Sequence, residues 1–126
     1  MEIDNPETIA EVKDAFARYE AALGINDLTV LRELFWDNMR TLRYGPKEIL
    51  HGADQIHAFR AGRPDVSRPR RLFNTMITTF GDRFAVANTE CQYENDSRHC
   101  RQSQTWVKMP EGWRIVAAHV SFLETA

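Results

Sequence analysis

The hydrophobic pattern changes period near residue 70, and that change leaves few architectures open to the chain. Beyond it, four segments alternate apolar and polar residues: "RRLFNTMITTF", "RFAVANTECQYE", "HCRQSQTWVKM" and "WRIVAAHVSFLE". They are separated by Gly81-Asp82, by Asn95-Asp96-Ser97 and by Pro110-Glu111-Gly112, all of them turn formers. Alternation with tight turns predicts an antiparallel meander of four strands. Before residue 70 the period is helical. Helices first and a meander after predict an α+β fold, with the N-terminal helices packed on one face of a curved, mostly antiparallel sheet.

The helical half can be read in more detail. Asp4 or Asn5 followed by Pro6-Glu7 has the form of a helix start. Ile9, Val12, Phe16, Tyr19, Ala22 and Leu23 then recur at spacings of three and four, which makes one face, and Gly24 is the expected end. Asn26-Asp27 caps a second, short helix containing Leu28, Leu31, Leu34 and Phe35. "TLRYG" predicts one small strand. A third helix is expected after Gly52, with Ile56 and Phe59 inward and Pro64 closing it.

With 126 residues, 43% of them hydrophobic and 10% aromatic, one ordered domain spanning 1–126 is expected. The net charge of -2 gives no general attraction to nucleic acid or anionic membranes. No apolar run approaches the ~20 residues that span a bilayer. The acidic start "MEIDNPETIAEV" lacks the pattern of a signal peptide, so a cytoplasmic location is expected. In that setting Cys91 and Cys100, on neighbouring strands of one hairpin, are expected as two reduced thiols rather than a disulfide. No nucleotide-binding glycine motif, serine-hydrolase elbow or metal-ligand histidine spacing occurs, so neither cofactor nor metal is expected.

"TLRYGPKEILHG", "IHAFRAGRP", "RQSQTWVK" and "GWRIVAAHVS" together resemble the AtzH-like family, which includes proteins called oxalurate catabolism protein HpxZ. The likeness runs from about residue 5 to residue 122, and "RYGPKE" with "RQSQTW" is its most specific part. It implies the nuclear transport factor 2-like cone, also seen in SnoaL-like proteins, with a pocket between the helices and the concave sheet face. It also implies a homodimer through the outer sheet face and a role beside an amidase in the breakdown of nitrogen-rich compounds. The implied activity is amidase-like, converting a dicarboxylated urea to allophanate. The implied catalytic pair corresponds to Tyr19 and Arg43.

Those two residues carry the chemistry. A guanidinium in an apolar pocket binds a carboxylate through two parallel hydrogen bonds. For Arg43 the alternative is a salt bridge to Glu20, Glu48 or Asp54. Tyr19 lies on the apolar side of the first helix, where it is either a core residue or, beside a cation, a general acid or base. Loss of an N-carboxy group as carbon dioxide needs a held carboxylate and a placed proton, not a nucleophile. In "RQSQTWVK", Gln102, Gln104 and Trp106 share a face, so Gln104 is a candidate pocket wall with Trp106 behind it, or else solvated or dimer-facing. His57 is a candidate for the pocket mouth. His119, in an otherwise apolar strand, is either a structural or a substrate-contacting histidine. "FRAGRPDVSRPRR" holds five arginines, read as a solvated loop with Arg60 or Arg63 as a possible second anion contact. The enzyme reading stands against a non-catalytic module that binds a metabolite or docks onto an amidase.

Overall fold

The structure, a computed structural model, describes residues 1–64 and 68–124. Part of the arginine-rich loop, residues 65–67, therefore lies outside the described residues. Helix α1 (Pro6–Ile25) begins at Asn5, whose side chain accepts from the backbone N–H groups of Glu7 and Thr8. Its buried residues are Thr8, Val12, Phe16, Tyr19 and Ala22, one stripe at helical spacing. The helix runs past Gly24 and stops at Asn26, which takes the left-handed conformation that asparagine tolerates. Asp27 then caps α2 (Leu28–Leu34) by accepting from the Val30 N–H at 3.2 Å.

After α2 come β1 (Leu42–Tyr44), β2 (Ile49–His51) and α3 (Ala53–Ala61). The meander follows as β3 (Arg70–Phe80), β4 (Phe84–Tyr93), β5 (His99–Met109) and β6 (Gly112–Leu123). The sheet order is β2-β1-β6-β5-β4-β3, with β1 parallel to β6 and every other pair antiparallel. Strand β2 was not expected; its three residues are too short to show a period. The core lies between helices and sheet, where Val12, Phe16, Leu31, Phe35 and Ile56 meet Ala85, Ala87, Trp106 and Ile115.

Two irregularities bend the sheet. One is in β3 between Phe73 and Met76, where Asn74 has φ 51°. The other sets Thr105 and Trp106 of β5 against Ala117 and Ile115 of β6, which leaves Val116 as an extra residue. An extra residue reverses which alternate positions face inward. On β6, Trp113 and Ile115 are buried before the bulge and Ala118 after it.

The same register accounts for the cysteines. Cys91 pairs directly with Cys100 across β4 and β5, with Cα atoms 4.8 Å apart. The structure joins the two as a disulfide, where two thiols were expected. Both side chains are fully buried.

Candidate functional site

Tyr19, on the buried stripe of α1, projects into a cavity of about 390 Å³ at one end of the helix–sheet interface. Arg43 enters from β1, opposite Leu50 of β2 and beside Ala118 of β6, a small neighbour that leaves room for a long side chain. Arg60 enters from α3, where Ala53, Ile56 and Arg60 form the buried stripe at three- and four-residue spacing. Gln102 of β5 and Val120 and Phe122 of β6 line the sheet side.

Charge is the dominant feature of this cavity. Seven lining side chains are cationic (Arg43, Lys47, Arg60, Arg63, Arg68, Arg70 and Arg98), and one, Glu48, is a carboxylate. The guanidiniums of Arg43, Arg60 and Arg63 lie 5.3, 5.8 and 5.3 Å from the centre of the Phe59 ring. A ring face attracts each cation, but three like charges around one ring also repel one another.

Several of these cations are matched by acids. Arg43 donates to Glu48 Oε1 at 2.8 Å. Glu48 reaches it from the β1–β2 turn by folding over Gly45, where any Cβ would collide with the carboxylate. Arg70 Nη2 donates to both oxygens of Glu20, at 2.8 and 2.7 Å, and to Gln102 Oε1 at 3.1 Å. Burial works most strongly against the charge of Arg70, but the attraction and hydrogen bonding of Glu20, together with Tyr93 and Tyr19, outweigh it and the pKa lies above the ordinary guanidinium value. Arg98 is held by Asp96 at 2.9 Å.

Arg60 differs from them. Its relative exposure is 7%, and among the described residues no carboxylate pairs with it. Its Nη2 donates to the Tyr19 hydroxyl oxygen at 3.2 Å, and its Nε, like that of Arg70, is buried without an acceptor. Burial pulls its pKa below the usual value, and repulsion from Arg43 and Arg63 adds to this. The guanidinium that touches Tyr19 is thus Arg60, whereas Arg43, assigned to that role by resemblance, is bound to Glu48. Tyr19 and Arg43 nonetheless line the same cavity.

The other candidates are placed elsewhere. Gln104 faces inward as the alternation requires, but it is a core residue with 1% exposure and does not line the cavity. Its Oε1 accepts from Trp106 Nε1 at 3.0 Å, and Trp106 is fully buried. Gln102, two residues earlier on the same face, holds the wall position instead. His57 opens onto a separate cleft with Arg32, Trp36, Asp37 and Glu111, away from Tyr19. His119 is exposed on the outer face and packs edge-on against Tyr44 at 5.4 Å, because the β6 bulge turns it outward. Among the described residues no three His, Cys, Asp or Glu side chains converge to hold a metal ion.

Compared with known proteins, the sequence matches the AtzH-like family over residues 1–126. The chain belongs to the AtzH-like family. A crystal structure of a DUF3225-family protein of unknown function from Pectobacterium atrosepticum SCRI1043 is 52% identical, covering 97% of this chain and 95% of that one, with a TM-score of 0.94. A cystatin-like fold protein from Burkholderia xenovorans LB400 is 41% identical over 100% of this chain and 99% of that one, again with a TM-score of 0.94. A nuclear transport factor 2-like superfamily protein from Salmonella enterica serovar Typhimurium LT2 is 25% identical, covering 95% and 94%, with a TM-score of 0.77. A search of curated proteins finds no match. The AtzH-like fold is therefore the α+β nuclear transport factor 2-like cone, and the cationic cavity lies between its helices and its concave sheet face. No helix among the described residues is long and apolar enough to cross a membrane.

Proposed function

We propose that the cavity binds a small carboxylated urea or amide and that Tyr19 delivers a proton to it, so that an N-carboxy group leaves as carbon dioxide. The observation that carries this reading is the collection of seven cationic side chains around a half-enclosed space with a phenol at its inner end. Guanidiniums recognise carboxylates through paired, charge-assisted hydrogen bonds, and they do so most strongly where water is scarce. At about 390 Å³ the cavity has ample room for a small dicarboxylated compound, and its cationic lining disfavours a large apolar one.

The step balances without a nucleophile. The bond between nitrogen and the carboxyl carbon breaks, its electron pair stays on nitrogen, and nitrogen takes the Tyr19 proton. Carbon dioxide departs, and the phenolate recovers a proton from water. A carboxylate held by a guanidinium is stabilised as an anion and stays, so the group that leaves is a different one, or one released from that grip. On this reading the protein is an accessory enzyme of nitrogen-compound breakdown that consumes the unstable product of an amidase.

The test uses purified protein and freshly prepared N-carboxylated urea, with carbon dioxide release followed against the spontaneous rate. Acceleration by the wild-type protein and none by Tyr19→Phe is the expected result. A rate equal to background with both proteins would leave a binding module as the better description. A homodimer through the outer sheet face is part of the same proposal. Met76, Phe84 and Tyr44 are exposed there, and sedimentation at micromolar concentration tests it.

A further inference from the structure

We propose that Arg60, rather than Arg43, is the group that seats the ligand's carboxylate, and that the same guanidinium fixes Tyr19 as a hydrogen donor towards it. This rests on the reading of the cavity as a carboxylate site and names the residue on which that site depends.

Buried cations are normally matched by acids, because a charge removed from water without a partner is costly. Arg43 and Arg70 obey that rule through Glu48 and Glu20, and the partly exposed Arg98 is paired with Asp96. Among the described residues Arg60 does not, although it is the most deeply placed of the unmatched cations; Lys47 and Arg63, which also lack a carboxylate there, are exposed to water. Arg70 shares the open Nε but has Glu20 to match its charge; a buried guanidinium with an open Nε and no carboxylate is a receptor whose anion is supplied from outside. The charge of Arg43 is already matched by Glu48, which accepts from its Nη1.

The position of Arg60 is also rigid. Asn26, which ends α1, donates through Nδ2 to the backbone carbonyls of Arg60 and Arg63 at 3.1 and 3.4 Å. The end of α3 is thereby tied to the end of α1, the helix that carries Tyr19. Packing of Tyr19 edge-on against Phe35, with ring centres 6.0 Å apart, fixes the phenol from the other side.

Direction of the hydrogen bond follows from chemistry. A guanidinium has donors and no acceptor, so in the 3.2 Å contact Arg60 donates and the Tyr19 oxygen accepts. The hydroxyl proton is left over, and no described residue receives it. It is available to a ligand atom seated beside Arg60, and Arg60 neutralises the phenolate that remains after transfer.

Malonate, a stable dicarboxylate, is the probe, with affinity measured by calorimetry at low salt for wild type, Arg60→Gln, Arg60→Lys and Arg43→Gln. Arg60→Gln is expected to weaken binding by about tenfold or more, the scale of one or two charge-assisted hydrogen bonds. Arg60→Lys keeps the charge without the fork and is expected to fall between. Arg43→Gln is expected to change binding by less than about threefold. A merely structural role is separated by rescue: added ethylguanidinium restores malonate binding to Arg60→Ala and not to a variant whose fold is damaged. Binding that survives Arg60→Gln and disappears in Arg43→Gln overturns the assignment while the cavity reading stands. Failure of the wild-type protein to bind malonate or any small carboxylate overturns both.

Discussion

Replacing Arg60 by methionine is expected to stabilise the ligand-free protein, and replacing Arg43 by methionine to destabilise it. The two side chains are about equally buried, with exposures of 7% and 8%, so burial alone predicts no difference. Their partners do. At Arg43 the substitution leaves the Glu48 carboxylate, whose side chain is 21% exposed, without its cation. Breaking a fully buried pair costs about 3–5 kcal/mol. Glu48 sits on a turn and can swing towards water, so about 1–2 kcal/mol is the fitting range. At Arg60 the substitution removes a desolvated charge that no acid among the described residues offsets, along with its repulsion from Arg43 and Arg63. Against this stand the hydrogen bond to Tyr19, worth about 1 kcal/mol, and the attraction of the Phe59 ring, worth about 0.5–1 kcal/mol. Several kcal/mol of relieved desolvation less these losses gives a net gain of about 1–2 kcal/mol. For a chain of this length 1 kcal/mol moves the melting temperature by about 4 °C. The pair of variants should therefore separate by roughly 8–16 °C, read by scanning calorimetry at pH 7 in the absence of added carboxylates. Equal destabilisation by both substitutions would mean that Arg60 is satisfied within the fold, and the idea of an open receptor would fail.

Three further outcomes follow from particular contacts. Gly45→Ala should push the Glu48 carboxylate off Arg43, because the obstructing atoms are the far end of a flexible side chain; malonate affinity should rise as Arg43 is released, and unchanged affinity would show that the ion pair had merely shifted. Burial lowers the pKa of His57 below its ordinary 6.5, with Arg32 adding to the effect. Its neutral form is thus favoured in the fold, so its contribution to stability is complete above pH 6.5 and is lost as the pH falls through the depressed folded value; His57→Phe should flatten that part of a urea-denaturation pH series. On the outer face, Met76→Lys should shift sedimentation from dimer to monomer, and a wild-type protein that is monomeric at all concentrations would refute pairing through that face.

What could be read from the sequence divides along physical lines. Helix starts, turns and strand alternation are local signals, and the meander, the caps at Asn5 and Asp27 and the inward face of Gln102, Gln104 and Trp106 all come from them. Depth along a strand is not local. Alternation says that Gln102 and Gln104 face the same way, but only the helices above decide that Gln104 is packed in the core and Gln102 borders open space. Parity on β6 likewise depends on a single extra residue, Val116, which carries no sequence mark among its apolar neighbours and sends His119 to the outer face. The cysteine pairing depends on a register that two turns set jointly, and on a redox setting that the sequence addresses only indirectly.

Arg60 is the instructive case, because its signal was present. It lies four residues after Ile56 on the same helical stripe, and an arginine at a core position needs a reason. The signal was hidden in a run of five arginines, which as a group resemble a solvated loop. Net charge hid it as well: a chain with 16 basic and 18 acidic residues looks indifferent to anions. Averages of that kind describe long-range attraction to large polyanions and say nothing about a cavity smaller than the screening length of about 10 Å. In this chain Glu20 and Glu48 each hold one guanidinium around the cavity, Asp96 holds Arg98 and lies 3.8 Å from Arg68, and none of the three reaches Arg60. Among the described residues the pattern leaves Arg60 as the buried cation without a carboxylate, in contact with the Tyr19 phenol, which is what recognition of a small acid next to a proton donor requires.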